Sequence, residues 1–319
     1  MDNLIFSLNA MMPLFLLMVI GMVLRHFGIV NAQTANGMNK FVFTIGIPVL
    51  LFNDLATADL SHEWDPGFIV FCFAATLAGI VVSYLFSLLF RKTRFQGEFV
   101  QAAYRSSASL LAIGVMQNVY GSAGIAPLMV IGAVPLYNVM AVVILVFMRP
   151  RGTVDNVVPA HPASISSAVR DICKNPIILG IVFGLIWAAL RIPMPTIMAR
   201  TVSSVANTAT PVGFVAMGVL FDAKKAFGVR GPALLATFLK LVGLVALTLP
   251  VAYAFGMHGQ RLVAVLVMMG SATTLSAFVM ARSMGHEGTL TSSVVMLSTL
   301  LSAFTLTGWL WLLKTLALI

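Results

Sequence analysis

Two short polar clusters interrupt otherwise apolar stretches of this 319-residue chain: Arg105, Ser106, Ser107 and Ser109 in one, Ser271, Thr273, Thr274 and Ser276 in the other. Both are rich in hydrogen-bond donors. A guanidinium fork suits a carboxylate, and hydroxyls beside it add neutral hydrogen bonds. Gly114 and Gly270 flank the clusters, and Gly and Ser let a helix open locally where the freed backbone lines a cavity instead of lipid. An opened helix exposes unpaired N–H groups at a half-helix amino end, whose partial positive charge favours an anion. Two such ends facing each other make an anion site. Small hydroxyls also serve close helix packing or bond back to their own carbonyls, so it is their recurrence at equivalent places that argues for a site.

Other polar features are sparse. Pro48 and Pro211 remove backbone donors and are expected to kink their spans, with Thr44 near the first and Asn207-Thr208-Ala209-Thr210 before the second. Thr44 and Asn207 are therefore placed close to the site. Lys240, like Arg105, falls within an apolar span, and either snorkels to a surface or finds an internal partner. No acid is central to a span, although Asp54 and Asp222 lie near span ends, which disfavours a cation carrier and a carboxylate proton relay. His26, His62, His161, His258 and His286 fall in expected loops and read as surface residues. Cys72 and Cys173 have neither pairing nor metal spacing. No phosphate-binding loop occurs, and no metal or cofactor is implied.

These clusters require membrane helices to position them. The chain is 60% hydrophobic and 9% charged, with a mean hydropathy of +1.00, so lipid is the solvent for most of it. Its net charge of +9 lies mostly in short loops and forms no nucleic-acid motif. Apolar runs bounded by charge, Gly and Pro predict ten helices near 4–24, 36–55, 67–90, 98–119, 124–148, 176–191, 196–221, 232–256, 260–283 and 290–317. The first, opened by Asp2, is longer than a signal-peptide core and reads as retained. With both termini outside, the inner loops hold Arg25, Lys40, Arg91, Lys92, Arg94, Arg149, Arg151, Arg170, Lys174, Lys224, Lys225, Arg230 and Arg282. The outer side then holds Arg191, Arg200, Arg261 and Lys314, as the positive-inside rule asks. Asp54, Asp59, Glu63 and Asp65 share one outer loop.

A polar stretch with Pro150, Gly152, Pro159 and Pro162 divides the chain. The expected units are a five-helix half at 1–148, a linker at 149–175 and a second five-helix half at 176–319. An odd number of spans per half makes homologous halves inverted relative to each other. One offset aligns Ser107-Ala108 with Ser271-Ala272, Leu111 with Leu275, Val115-Met116 with Val279-Met280, Gly121 with Gly285 and Gly124 with Gly288. Pro48 and Pro211 agree with it to within one residue. The expected fold class is an all-α membrane protein of two inverted five-helix repeats, with broken, crossing fourth and ninth helices. Gly180 and Gly184 form a G-x-x-x-G pair in the sixth span, a mark of close helix packing.

Three segments carry a family resemblance: Asn39-Lys40-Phe41-Val42-Phe43 leading to Pro48-Val49-Leu50-Leu51-Phe52, then Asn207-Thr208-Ala209-Thr210-Pro211, and Ala277-Phe278-Val279-Met280-Ala281-Arg282. The chain resembles the bacterial branch of the auxin efflux carrier family, which includes malonate and malate permeases. The resemblance implies a scaffold of helices one, two, six and seven, and a transport domain in which broken helices four and nine cross beside the substrate. The family often has Asn and Pro at the crossing, whereas this chain has Arg105-Ser106-Ser107-Ala108 and Gly270-Ser271-Ala272-Thr273-Thr274, without proline.

The expected function is alternating-access transport of small mono- or dicarboxylates, malonate being the best guess by resemblance, in a bacterial inner membrane. Arg105, Ser107, Ser109, Ser271, Thr273, Thr274, Asn207 and Thr44 are the expected substrate contacts, and Pro48, Pro211, Gly114 and Gly270 the expected break or kink positions. The partners are a small carboxylate and the lipid bilayer, with no nucleic acid. Proton or sodium coupling and a homodimeric state stay open. The alternatives are a sodium-coupled bile-acid-type symporter, a passive channel and an integral-membrane enzyme.

Overall fold

The protein is seen in a computed structural model that describes residues 2–57, 65–91, 93–121, 124–150, 174–190 and 192–319. Side chains of 2–11 and of Ser109, Leu110, Ile113, Gly114, Gln117 and Asn118 lie outside this description. So do Asp59, His62, Glu63, Lys92, Arg191 and the span 151–173, with most of the expected linker and its Arg151, Gly152, Pro159, His161, Pro162, Arg170 and Cys173.

Among the described residues the fold is entirely helical. The first half comprises α1 (Asp2–His26), α2 (Ala32–Ala56), α3 (Pro66–Phe90), α4 (Gln96–Tyr104), α5 (Ala108–Tyr120) and α6 (Ala126–Phe147). The second comprises α7 (Pro176–Leu190), α8 (Thr196–Leu220), α9 (Ala223–Gly228), α10 (Arg230–Ala254), α11 (Gln260–Gly270), α12 (Leu275–Ser283) and α13 (Thr289–Thr315). Seven stretches are long and apolar enough to cross a membrane, counting α11 and α12 together, and Met12–His26 and Pro176–Leu190 are shorter apolar helices. The short α9 was not expected from the apolar pattern.

Local chemistry sets the helix starts. Asn31 caps α2 through the Thr34 N–H at 2.8 Å, and Asp65 caps α3 through the Phe68 N–H at 3.0 Å, with Pro66 in the first turn. Asp222 opens α9 by accepting the N–H groups of Lys224 and Lys225. The Lys225 N–H bond, foremost, holds the Asp222 carboxyl below its ordinary range. The start of α13 is capped from far away in sequence: buried Glu98 accepts the N–H groups of Gly288 at 2.9 Å and Thr291 at 3.0 Å, and the Thr291 hydroxyl at 3.0 Å.

Glycine sets the closest approaches. Gly180 and Gly184 bring α7 onto α2, where a Cβ at Gly180 would lie 2.5 Å from the Pro48 carbonyl oxygen. The G-x-x-x-G pair thus packs helices. The pair also explains why Pro48 is buried. Before Pro48, Val42–Gly46 forms a π turn inside α2, a feature that inserts one residue per turn and often marks functional sites. Pro211, by contrast, sits within the unbroken α8.

Burial separates lipid-facing from central elements. On α3, Val70, Phe73, Leu77, Val81 and Leu85 are exposed, as a lipid-facing stripe should be. The segment Gln260–Ser283 is 89% buried in its most apolar window, against 33% for Pro66–Phe90. The ninth span therefore occupies the middle of the molecule, and polar groups within it must find protein partners.

Candidate functional site

The expected fourth span stops being helical at Arg105, Ser106 and Ser107, between α4 and α5. The ninth stops at Ser271 to Thr274, between α11 and α12. Arg105, Ser271 and Thr274 are extended (φ −69° and ψ 143°, φ −74° and ψ 160°, φ −69° and ψ 143°). No proline is needed for these breaks because each supplies partners for the other. The Ser107 N–H donates to the Ala272 carbonyl at 2.9 Å, and the Ser106 and Ser271 hydroxyls are 2.8 Å apart. The Thr273 hydroxyl donates to the Ala102 carbonyl at 2.8 Å, its N–H to the Ser298 hydroxyl at 3.0 Å, and the Gln101 amide to the Ala277 carbonyl at 2.9 Å. A buried backbone group freed from a helix needs such a partner.

Beside the breaks lies a cavity of about 60 Å³, room for a few waters. Arg105, Ser106 and Ser107 line it with Thr274, Leu275 and Ser276 from the other break, Tyr137 and Asn138 from α6, Asp54 from α2, and Thr210 from α8. Arg105 is 1% exposed. Its Nη2 donates to Asn138 Oδ1 at 2.7 Å and to Ser276 Oγ at 2.6 Å, and its Nη1 to the Met280 sulfur at 2.8 Å. Its Nε is buried without an acceptor. A thioether is a weak acceptor, so the guanidinium is held in place by neutral groups, with donor capacity left over. Asn138 is itself fixed by its Nδ2 bond to the Val134 carbonyl at 2.9 Å. Two half-helices, α5 and α12, begin at this cavity, and their first N–H groups have no preceding turn to accept them.

A larger recess of about 630 Å³ lies between the starts of α3 and α11, lined by Asp65, Ile125, His258, Gln260 and Arg261. Its charges satisfy each other through an Arg261 to Asp65 ion pair of 2.7 Å. Size alone does not make it the better site, because no surplus of buried donors converges there.

The structure sorts the expected contacts. Arg105, Ser107 and Thr274 line the cavity. Ser271 and Thr273 are buried between the breaks, bonded as described. Ser109 lies in the first turn of α5, its side chain outside the description. Asn207 and Thr44 are exposed and do not line the cavity. One helical residue turns the side chain by about 100°, which leaves buried Ala206 and Ala209 inside α8 and Asn207 outside. The π turn changes the register around Thr44 in a way that an α-helical reading does not contain. Gly270 ends α11 at the break, where a Cβ would lie 2.9 Å from Val245. Gly114 lies inside α5, past the break.

Other residues gain roles. Asn138, Tyr137, Ser276 and Asp54 enter the cavity; the signal available for Asn138 was a lone amide following Pro135 within an apolar span. Lys240 does not snorkel but is fully buried with internal partners. His286 occupies a connector, as expected, but is 4% exposed and not a surface residue. Its Nε2 meets the Leu145 carbonyl at 2.9 Å, and burial pushes its pKa down to about 4. Among the described residues no group of three His, Cys, Asp or Glu side chains is arranged to hold a metal.

Comparison with known proteins agrees with this picture. The family model described as membrane transport protein matches residues 6–310. A protein of Methanothermobacter thermautotrophicus named as an uncharacterized transporter is 23% identical over 312 residues, covering 95% of this chain and 97% of its own. The chain therefore belongs to the membrane transport protein family, in agreement with the auxin efflux carrier resemblance carried by its motifs.

Proposed function

We propose that the protein is a secondary transporter of small organic anions that binds its substrate in the cavity beside the two breaks. The observation that carries this reading is Arg105: a buried guanidinium at the cavity wall, with its Nε unpartnered and no carboxylate at ion-pair distance among the described residues. A buried cation without an ion-pair contact is costly in a low-dielectric interior, and a bound anion lowers that cost. The amino ends of α5 and α12 favour the same sign of charge. Ser107, Thr274 and Asn138 add neutral hydrogen bonds that orient a carboxylate. Mono- and dicarboxylates are the substrate class, and malonate is the first candidate, by family resemblance.

The transport cycle on this reading is alternating access. Ten spans form two inverted five-helix repeats joined by a linker at 149–175, with helices one, two, six and seven as scaffold and the rest as transport domain. The inner loops carry the excess of Lys and Arg, both termini lie outside, and the membrane is the bacterial inner membrane. The aligned landmarks of the two halves and the paired breaks support this plan.

Asp54 favours a second reading in detail, a sodium-coupled symporter. It brings a carboxylate to the cavity, and a cation bound there would offset the charge of a second substrate carboxylate. Uptake with and without sodium separates the two.

The experiment is a thermal-shift screen of purified protein against small carboxylates, followed by uptake into proteoliposomes. A ligand that binds the folded state raises its apparent stability. A rise with a carboxylate that is lost in Arg105→Ala supports the reading. Wild-type affinity in Arg105→Ala removes Arg105 from the site, and linear, non-saturating flux without counterflow indicates a channel instead.

A further inference from the structure

A second buried cation packs against the breaks without lining the cavity. Lys240, in the π turn Leu239–Gly243 of α10, is 0% exposed. Its Nζ donates to the Met269 carbonyl at 2.6 Å, the Tyr104 carbonyl at 3.2 Å and the Ser106 hydroxyl at 2.7 Å. Tyr104 is the last residue of α4, and Met269 is in the last turn of α11. Carbonyls there lack intrahelical donors and carry the negative end of the helix dipole. Three acceptors around one nitrogen match the three donors of an ammonium. No carboxylate is at ion-pair distance among the described residues, and Lys240 does not line the cavity.

Two broken helices bring four ends together, two amino and two carboxyl, whose fields would largely cancel at short range. We propose that Lys240 is a positioning residue that takes up both carboxyl ends, so that the cavity feels the amino ends of α5 and α12 uncancelled and selects anions. The ammonium reaches the cavity wall through Ser106, whose hydroxyl it holds and which in turn contacts Ser271. Arg105 contacts the substrate; Lys240 sets the field in which it does so. This role rests on the anion reading of the cavity for its purpose, but its electrostatic content can be measured without substrate.

The test places a thiol at the cavity wall with Ser107→Cys in an Arg105→Gln, Asp54→Asn, Cys173→Ser background, which removes the other charged side chains lining the cavity and leaves Lys240 as the cation at the breaks, and follows its alkylation by iodoacetamide against pH. Native Cys72 is buried, and peptide mass spectrometry separates the two thiols. A positive field lowers the midpoint below the ordinary value of about 8.5. With Lys240 present the midpoint is expected about one pH unit below that value; Lys240→Met returns it to the ordinary value, and Lys240→Arg keeps it low. An unchanged midpoint in folded Lys240→Met reduces Lys240 to a structural plug and overturns the proposal. Lys240→Gln, which keeps donors for the carbonyls without charge, serves if the Met variant does not fold. If neither neutral variant folds, a midpoint at or above about 8.5 with Lys240 intact overturns the proposal, and a lowered one supports it. With Arg105, Asp54 and Ser107 restored, Lys240→Met is expected to weaken the thermal response to malonate at least tenfold and to leave any response to neutral malonamide unchanged; equal loss of both indicates a structural role. A wild-type protein that answers no carboxylate refutes the carrier reading and leaves the thiol measurement to decide on Lys240.

Discussion

The two breaks share a sequence pattern but divide the labour. In the fourth span, Arg105 and Ser107 turn their polar groups toward the cavity. In the ninth, Ser271 and Thr273 are consumed in holding the breaks together, and the cavity is left to Thr274 and Ser276 at the start of α12. Both segments are continuously buried up to their breaks, from Gly97 to Tyr104 in α4 and from Leu262 to Gly270 in α11. Two similar polar clusters thus sit differently, one lining the cavity and the other mostly bonded between the breaks. Which role a residue takes depends on whether its partner is a cavity or another strand of backbone.

Single substitutions test that contrast. The largest effect is expected for Arg105→Ala. Losing two charge-assisted hydrogen bonds to a carboxylate, each worth about 1.5–3 kcal/mol, lowers substrate affinity by at least about a hundredfold, read as uptake at low substrate by a protein that still purifies as a folded species. Thr273→Val acts on the cluster bonded between the breaks. It removes the donor to the Ala102 carbonyl and is expected to destabilise by about 1–3 kcal/mol, seen as a lower Tm with or without ligand. Ser107→Ala and Ser271→Ala form the matched pair: the first is expected to weaken binding roughly threefold to tenfold at nearly constant Tm, the second to lower Tm with a smaller effect on affinity, each by about 1 kcal/mol. Reversal of that order would remove the distinction between the clusters.

The smallest effects lie away from the breaks. Asn207→Ala and Thr44→Val, at exposed positions outside the cavity, are expected to leave affinity within about twofold, since surface changes stay within about 0.5 kcal/mol. His286 gives a pH signature instead. Its folded pKa of about 4 lies below an unfolded value of about 6.5, so the unfolded chain binds more protons between them and stability falls as pH drops through that window. Above the unfolded value the contribution is complete and flat. Thermal melts of His286→Gln should lose that part of the acid slope.

Apolar runs and their bounding residues placed the helices well because burial in lipid imposes length and composition on each span separately. The polar clusters pointed to both breaks through their recurrence at equivalent places, since a hydroxyl alone also bonds back to its own helix, as Ser293 and Thr299 do in α13. The pattern is silent where geometry around the helix axis decides. Thr44 and Asn207 are near the breaks in the motif pattern but exposed, and nothing around Asn138 in the chain marks it as the acceptor that holds Arg105 at 2.7 Å. His286 is buried although it lies in a connector, because a connector's sequence says nothing of what packs over it.

What the chain settled by itself is its solvent, its helices and the two places where helical hydrogen bonding would fail, for these follow from local composition. Lys240 shows what the sequence left to the fold. Nothing polar adjoins it in the chain, yet its three partners come from α4, from the break that follows it and from α11. Only the packed molecule brings two carboxyl ends to one ammonium and two amino ends to one cavity, because the field at a site is a sum over charges whose separations are tertiary distances.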